Sequence, residues 1–146
     1  MTDIQPVYNS PALTIGNTLV IADLHIGVES HLRSKGFHIV SRTDTMFDEI
    51  LSSAGDCNKL IVLGDVKNSV PGSSKQEYTE IPEFFIRLTE VFNKVTIVRG
   101  NHDTNIEDYL PPEVDVAPAT GLIRDDIGFV HGHTWPSNEV MACKTL

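Results

Sequence analysis

The sequence predicts a layered α/β domain, because short apolar runs alternate with two stretches of helical periodicity. Apolar runs of the length of buried strands occupy residues 19–22, 60–63 and 95–98. Between them, residues 39–54 and 81–92 repeat apolar side chains at steps of three and four, as amphipathic helices do. Further short apolar runs follow towards the C-terminus. This order of elements is typical of a sheet covered by helices.

Turn and helix-end residues mark the limits of these elements. Gly16 and Asn17 separate two apolar segments and predict a β-hairpin turn. Gly55 ends the first helix, and Pro82 is expected in the first turn of the second, where its missing N–H costs nothing. The other predicted elements are a polar connection over residues 27–36, a helical turn over 105–110, short strands over 114–116 and 122–123, and a turn over 124–126.

The longest predicted loop covers residues 65–80 and follows the second apolar run. Loops of this length at the carboxyl edge of a sheet are often functional. Lys67 and Asn68 are therefore candidates for substrate contacts, and a solvated loop without such contacts is an equal alternative.

Size, charge and cysteine content limit the possible classes of protein. The 146 residues suit one domain over residues 1–146, and the net charge of −9 argues against a broad basic face that grips phosphate backbones. Bound divalent cations would nevertheless reverse the local field at a site. No apolar run approaches the ~18 residues of a membrane span and the N-terminus has no signal pattern, so we expect no membrane association and a cytoplasmic location. Cys57 and Cys143 form no pair pattern and are interpreted as ordinary thiols.

Metal-binding residue types follow four apolar runs. They are Asp23 and His25 after the first run, Asp65 after the second, Asn101 to Asp103 after the third, and His131 after residues 127–130. In open α/β sheets ligands bind beyond the carboxyl ends of the strands, which predicts one site built from four strand ends. Mixed oxygen and imidazole ligands without thiolate fit Mn²⁺, Fe, Zn²⁺, Ni²⁺ or Co²⁺ better than Ca²⁺.

These residue types permit hydrolysis at phosphorus. Asp23 and His25 lie two apart on a segment predicted to be extended, so both are expected to point to one side and chelate one ion. Asp65 has two oxygens and is suited to bridge two ions. Two cations roughly 3.5–4 Å apart hold a hydroxide that attacks a phosphate in line. His102 is placed to protonate the leaving oxygen, with Asp103 beside it to fix the tautomer.

The motifs together resemble the calcineurin-like metallophosphoesterase superfamily. The matching segments, in chain order, are Asp23-x-His25, Gly64-Asp65, Gly100-Asn101-His102-Asp103 and His131-Gly132-His133. The resemblance implies a four-layer α/β/β/α sandwich and two divalent metal ions, with manganese expected. It further implies a first ion held by Asp23, His25 and Asp65, a second held by Asp65, Asn101 and His131, and catalysis by His102 oriented by Asp103.

Longer stretches around the motifs are similar to archaeal Icc-type phosphoesterases, which resemble the bacterial phosphoesterases found alongside DNA ligase. These stretches are Asp23-Leu24-His25-Ile26-Gly27-Val28-Glu29, Gly64-Asp65-Val66-Lys67-Asn68-Ser69 and His131-Gly132-His133-Thr134-Trp135-Pro136. The similarity implies that the substrates are phosphodiesters of nucleotides or nucleic acid. Phosphomonoesters and cyclic nucleotides stay open as alternatives, and the oligomeric state is not predicted.

One family motif is absent from the sequence. The family carries a final Gly-His-x-His after the segment matched by His131, and this sequence stops at Leu146 before such a pair. Each predicted ion therefore lacks one imidazole. We hypothesise a C-terminally truncated copy with reduced metal affinity and activity, and with an unpaired edge in its second sheet. The alternative is a metal-binding or scaffold protein that has lost turnover.

Overall fold

The chain forms a six-stranded sheet and a two-stranded sheet in a computed structural model that describes residues 3–70 and 72–146. The strands are β1 Ile4–Pro6, β2 Leu13–Ile15, β3 Thr18–Ala22, β4 Lys59–Leu63, β5 Lys94–Val98, β6 Val114–Ala117, β7 Leu122–Arg124 and β8 Ile127–Phe129. The helices are α1 Val28–Ser34, α2 Thr43–Ala54, α3 Lys75–Val91 and α4 Asn138–Met141, with a 3-10 helix at Ile106–Tyr109.

The larger sheet has the order β1-β2-β3-β4-β5-β6, in which β3 to β6 run parallel. The predicted hairpin at Gly16 and Asn17 is confirmed, because β2 and β3 pair antiparallel across it. Ala22 is the register partner of Leu63, and Leu63 is that of Val98. The carboxyl ends of three strands are therefore level at one edge of the sheet, and the segments that follow them start side by side.

Alternating side chains of these strands fill two apolar clusters on opposite faces of the sheet. Leu19 and Val62 pack with the helices, for example with the buried Phe84 of α3. Val20 and Val98 face the other way and pack against β8 and its neighbours. The layers thus run helices, large sheet, small sheet and then α4, which contacts β8. The predicted α/β/β/α architecture is confirmed, and the second sheet has two strands among the described residues.

Both long helices begin elsewhere than predicted. α2 begins at Thr43, and Val40 outside it is 81% exposed, so it does not belong to the apolar stripe. α3 begins six residues before the predicted start, at Lys75, where Ser74 and Glu77 form a capping box. Pro82 consequently lies inside α3 and not in its first turn. It leaves the carbonyl of Tyr78 without a helical donor, which is tolerated because Tyr78 lies on the exposed side of the helix.

Helix α1 occupies the stretch predicted to be a polar connection. It spans only seven residues, and Glu29 is its one buried side chain, so no apolar periodicity marks it in the sequence. The Glu29 carboxylate accepts a hydrogen bond from the main-chain N–H of Arg42 at 2.7 Å. A polar contact therefore attaches this helix to the start of α2.

The C-terminal tail meets the outer edge of β8. The Gly128 N–H donates to the carbonyl of Thr145 at 2.8 Å, and Ile127 forms a parallel bridge with Thr145. The expectation of an unpaired edge in the second sheet is wrong at this point, because the chain's own tail supplies the partner. On the opposite side β8 pairs antiparallel with β7 through a turn at Asp125 and Asp126.

Membrane-spanning helices and cysteine pairing can be assessed for the described residues. Within residues 3–70 and 72–146, no helix combines the length and the apolar character needed to cross a bilayer. Cys57 and Cys143 are both free and half-buried in the described part of the chain.

Candidate metal centre

Four strand-end segments converge at the carboxyl edge of the large sheet. Asp23 follows β3, Asp65 follows β4, Asn101 follows β5, and His131 lies two residues beyond β8. Ligand atoms of Asp23, Asp65 and His131 all lie within 4.8 Å of one another. The prediction that separate strand ends meet at one place is therefore confirmed for these three side chains.

The backbone at this edge is left-handed, not extended. Asp23 has a φ of 57° and His25 a φ of 46°, so the predicted extended chelating segment is wrong. Hydrogen bonds between neighbouring segments impose this conformation. The Asp23 N–H donates to the carbonyl of Gly64 at 3.0 Å, and the His25 N–H donates to the carbonyl of Asp65 at 2.9 Å. The two segments are thus joined side by side beyond the ends of their strands.

Two glycines allow the segments to approach this closely. A Cβ placed on Gly100 would lie 2.4 Å from Oδ1 of Asp65, and one on Gly64 would lie 2.5 Å from Nδ1 of His131. Contacts this short do not occur in real structures, so any larger residue at either position would displace a metal-ligand candidate. The glycines before Asp65 and Asn101 are therefore required by the packing of the site itself.

Asp65 occupies the middle of the group and is only 6% exposed. Its Oδ2 lies 3.3 Å from Nε2 of His131 and 3.7 Å from Nε2 of His25. Its Oδ1 accepts the main-chain N–H of His102 at 3.0 Å. A carboxylate that contacts residues from three other segments is placed as a bridging ligand would be.

His131 presents a lone pair to two oxygens. Its Nδ1 lies 2.8 Å from the carbonyl oxygen of Leu63, which can only accept, so Nδ1 carries the proton and Nε2 of the neutral ring is an acceptor. Nε2 lies 3.1 Å from Oδ1 of Asn101 and 3.3 Å from Oδ2 of Asp65. Three acceptors that face one another repel unless a cation or a proton lies between them. The donor set therefore fits a metal ion, and its mixed oxygen and nitrogen atoms suit Mn²⁺, Fe or Zn²⁺.

His25 lies at the margin of this group. Its ring stands perpendicular to that of His102, with centroids 5.2 Å apart. Its Nδ1 is buried and has no hydrogen-bond partner among the described residues. A buried nitrogen without a partner is costly, and a ring of this kind is suited to a further ligand role.

His102 is held by a main-chain carbonyl and not by Asp103. Its Nδ1 lies 2.7 Å from the carbonyl oxygen of Asn68. The carboxylate of Asp103 is fully buried. It accepts four main-chain N–H groups, from Asp65 at 2.8 Å, Val66 at 2.9 Å, Lys67 at 3.2 Å and Gly100 at 2.8 Å. The predicted orienting contact from Asp103 to His102 is wrong, because these amides take up the carboxylate.

Lys67 is also not available to a substrate. It is 3% exposed, and its Nζ donates to the carbonyl of Gly72 at 2.7 Å while lying 5.4 Å from the centre of the Tyr109 ring. The buried ammonium group therefore stabilises the loop through a hydrogen bond to its main chain. His133 is exposed beside His131, with ring centroids 5.4 Å apart, and Trp135 is 84% exposed.

The profile of the calcineurin-like phosphoesterase family matches residues 16–144, which include every residue described in this site. The chain belongs to the calcineurin-like phosphoesterase family. The predicted superfamily is thereby confirmed, and the closer similarity to archaeal Icc-type proteins stays a prediction.

A solved structure agrees with this membership in fold. The calcineurin-like phosphoesterase chain resembles the crystal structure of Pseudomonas putida nuclease MPE, with 22% sequence identity and a TM-score of 0.52. The match covers 86% of this chain and 63% of the nuclease chain, so this chain spans less than two thirds of that length. The comparison with curated proteins finds no match.

Proposed function

We propose that this chain hydrolyses phosphodiesters of nucleotides or nucleic acid with two divalent cations, of which Mn²⁺ is the expected one. The observation that carries the proposal is the convergence of Asp23, Asp65 and His131 within 4.8 Å in a chain of the phosphoesterase family. The proposal is supported by His131, whose Nε2 lies 3.3 Å from Oδ2 of Asp65 while its other ring nitrogen bonds a main-chain carbonyl, as is common for metal-ligating histidines.

Five side chains would hold the two ions. Asp23, His25 and Asp65 would bind the first ion. Asp65, Asn101 and His131 would bind the second, with the buried Asp65 shared between them. When bound, such cations supply Lewis acidity, which lowers the pKa of a water molecule and stabilises negative charge on phosphate oxygens.

His102 would supply the proton to the leaving group. Because the carbonyl of Asn68 can only accept, Nδ1 of His102 keeps its proton, and Nε2 is the atom that gains or releases one. A positioned imidazole of this kind contributes typically 10²–10⁴-fold to a reaction rate. His25 packs edge-on against this ring and limits its rotation.

The choice of a diester rests on the similar solved structure, and the expectation of a short substrate rests on the net charge of the chain. The neighbour is described as a nuclease, and nucleases cleave phosphodiesters. The net charge of −9 disfavours extensive contact with a long phosphate backbone. We therefore expect short or small diesters to be cleaved readily, and the phosphomonoester alternative is tested by the same experiment.

The test compares bis-p-nitrophenyl phosphate with p-nitrophenyl phosphate in the presence of Mn²⁺. We expect Mn²⁺-dependent release of nitrophenol, faster from the diester, and a 10²–10⁴-fold loss in His102→Ala. His38→Ala, an exposed histidine outside the site, is the matched control and should behave as the parent. Metal analysis of the same samples should find two ions per chain.

Each other outcome has a definite meaning. Mn²⁺ binding without turnover would favour a metal-binding or scaffold protein. Failure to bind Mn²⁺ would contradict the metal centre as well as the activity. Faster cleavage of the monoester would contradict the diester assignment alone.

A further inference from the structure

We propose that Glu77, on helix α3, is a positioning residue for His102 and acts through the peptide group between Asn68 and Ser69. The proposal rests on the proposed function, in which His102 delivers a proton. It assigns a role to a buried carboxylate that belongs to none of the metal-ligating motifs.

The first step is the contact between His102 and Asn68. Nδ1 of His102 and the carbonyl oxygen of Asn68 are 2.7 Å apart, and this hydrogen bond sets both the tautomer and the tilt of the ring. The orientation of His102 therefore depends on the position of that carbonyl. Asn68 lies in the loop between β4 and α3, outside any regular element.

The second step is the contact between Glu77 and the same peptide group. Oε1 of Glu77 accepts the N–H of Ser69 at 2.7 Å and the N–H of Asn68 at 3.2 Å. The Ser69 N–H and the Asn68 carbonyl belong to one planar peptide unit. Glu77 thus holds one end of the unit whose other end holds His102. A negatively charged acceptor on the N–H also polarises the unit and strengthens its carbonyl as an acceptor.

Burial makes this arrangement rigid. Glu77 is 0% exposed, and its Oε2 accepts the N–H of Ser74 at 2.9 Å. A Cβ placed on Gly27 would lie 2.6 Å from Cγ and Oε1 of Glu77, so the segment after β3 closes over the carboxylate. A fully buried carboxylate with three amide contacts is held in one position.

The capping box supplies a matched control. Glu77 and Ser74 cap α3 reciprocally, so a variant of Glu77 loses a helix cap as well as the contact to Asn68. Ser74→Ala removes the hydroxyl that accepts the Glu77 N–H and leaves in place the two hydrogen bonds that the Glu77 carboxylate accepts from the N–H groups of Asn68 and Ser69. Comparing the two variants separates the helix cap from the position of His102.

The experiment uses the whole chain and two kinds of measurement. In the metal-free protein, NMR should show a slowly exchanging Nδ1–H proton for His102, assigned by its loss in His102→Ala. We expect Glu77→Ala to lose this signal and the exchange protection of the Ser69 amide, while Ser74→Ala keeps both. With Mn²⁺ and bis-p-nitrophenyl phosphate, Glu77→Ala should lower kcat roughly 10–100-fold with KM within about twofold, the size of effect seen when a supporting partner is removed.

Conservative variants complete the test. Glu77→Gln keeps one acceptor oxygen for the N–H groups of Asn68 and Ser69 and should lose less kcat than Glu77→Ala. Glu77→Asp withdraws the carboxylate by one methylene and should lose the Nδ1–H signal and kcat as Glu77→Ala does, and it replaces the alanine variant if that variant does not fold. An unchanged Nδ1–H signal in Glu77→Asp, or an equal loss of kcat in Ser74→Ala, would overturn the proposal. If the parent shows the NMR signature without turnover, the proposed function fails while the NMR comparison still decides the role of Glu77.

Discussion

The carboxylate of Asp103 accepts the main-chain N–H of Asp65 at 2.8 Å, although the two residues are 38 positions apart in the chain. The same carboxylate accepts the N–H of Gly100 at 2.8 Å. Asp103 therefore joins the segment after β4 to the segment after β5, and each of these segments carries a candidate metal ligand. The position of Asp65 relative to Asn101 depends on this buried group.

Asp103→Asn should lower the free energy of unfolding by about 2–3 kcal/mol, because hydrogen bonds to a charged acceptor are the stronger ones and the amide nitrogen would face main-chain donors. Urea unfolding followed by circular dichroism measures the change. Asp115→Asn is the control, since Asp115 is exposed and lies 3.9 Å from Lys94, and it should cost less than about 0.5 kcal/mol. Equal effects of the two variants would contradict a structural role specific to Asp103.

Asp23→Asn should weaken Mn²⁺ binding by roughly tenfold or more, because one carboxylate ligand is lost. The metal-free variant should be as stable as the parent. Asparagine tolerates the left-handed backbone at position 23, and the Asp23 carboxylate is largely exposed. Isothermal titration with Mn²⁺ gives the affinity, and the rise of Tm with added Mn²⁺ gives an independent measure. Asp56→Asn, at an exposed position outside the site, should bind as the parent does. A parent-like affinity in Asp23→Asn would remove this residue from the ligand set.

Gly100→Ala should destabilise the chain by about 1–3 kcal/mol and also weaken Mn²⁺ binding, because the added methyl group would overlap Asp65. The measurements are urea unfolding and Mn²⁺ titration. Gly132 lies beside His131 with open space around its Cβ position, although its φ of 102° strains any substitution there. Gly132→Ala should therefore affect stability without a comparable loss of Mn²⁺ affinity. Normal metal binding in Gly100→Ala would show that the close contact is not required.

Cys57 should be slow to react with alkylating reagents near pH 8. Burial raises the pKa of the Cys57 thiol, and the neighbouring Asp56 carboxylate raises it further. Its contribution to stability is therefore fully present below the pKa of the unfolded thiol and is lost as the pH rises through the higher native pKa. In a Cys143→Ser background, Asp56→Asn should increase the rate of iodoacetamide labelling at pH 8, since more thiolate is present. An unchanged or slower rate would contradict the effect of Asp56.

The strand ends and the candidate ligand residues beyond them could be located because both signals are local. Apolar runs such as residues 95–98 identify buried strands, and parallel strands place their carboxyl ends at one edge. The capping box of Ser74 and Glu77 was also visible in the sequence and would have located the start of α3, where apolar periodicity alone begins at Ile81. A polar first turn hides a helix from an analysis of apolar spacing.

The contacts that orient the site could not be predicted, because they involve main-chain groups of distant segments. The sequence places Asp103 beside His102 but does not show that four amides bind its carboxylate. Likewise, the partner of His102 is a carbonyl, which every residue has, so no residue type marks Asn68. The left-handed conformation of His25 arises from hydrogen bonding to the segment after β4 and has no signal of its own.

The φ angles of Asp23, His25 and Asp65 are positive. These three candidate metal ligands therefore have a backbone conformation that glycine adopts more easily. A screen of random variants for heat resistance alone would therefore tend to enrich glycine or asparagine at these positions. Variants selected in this way would be more stable but would lack the side chains proposed to bind metal ions. The acid and imidazole side chains at these three positions therefore stand on backbone that costs stability, as residues at functional sites often do.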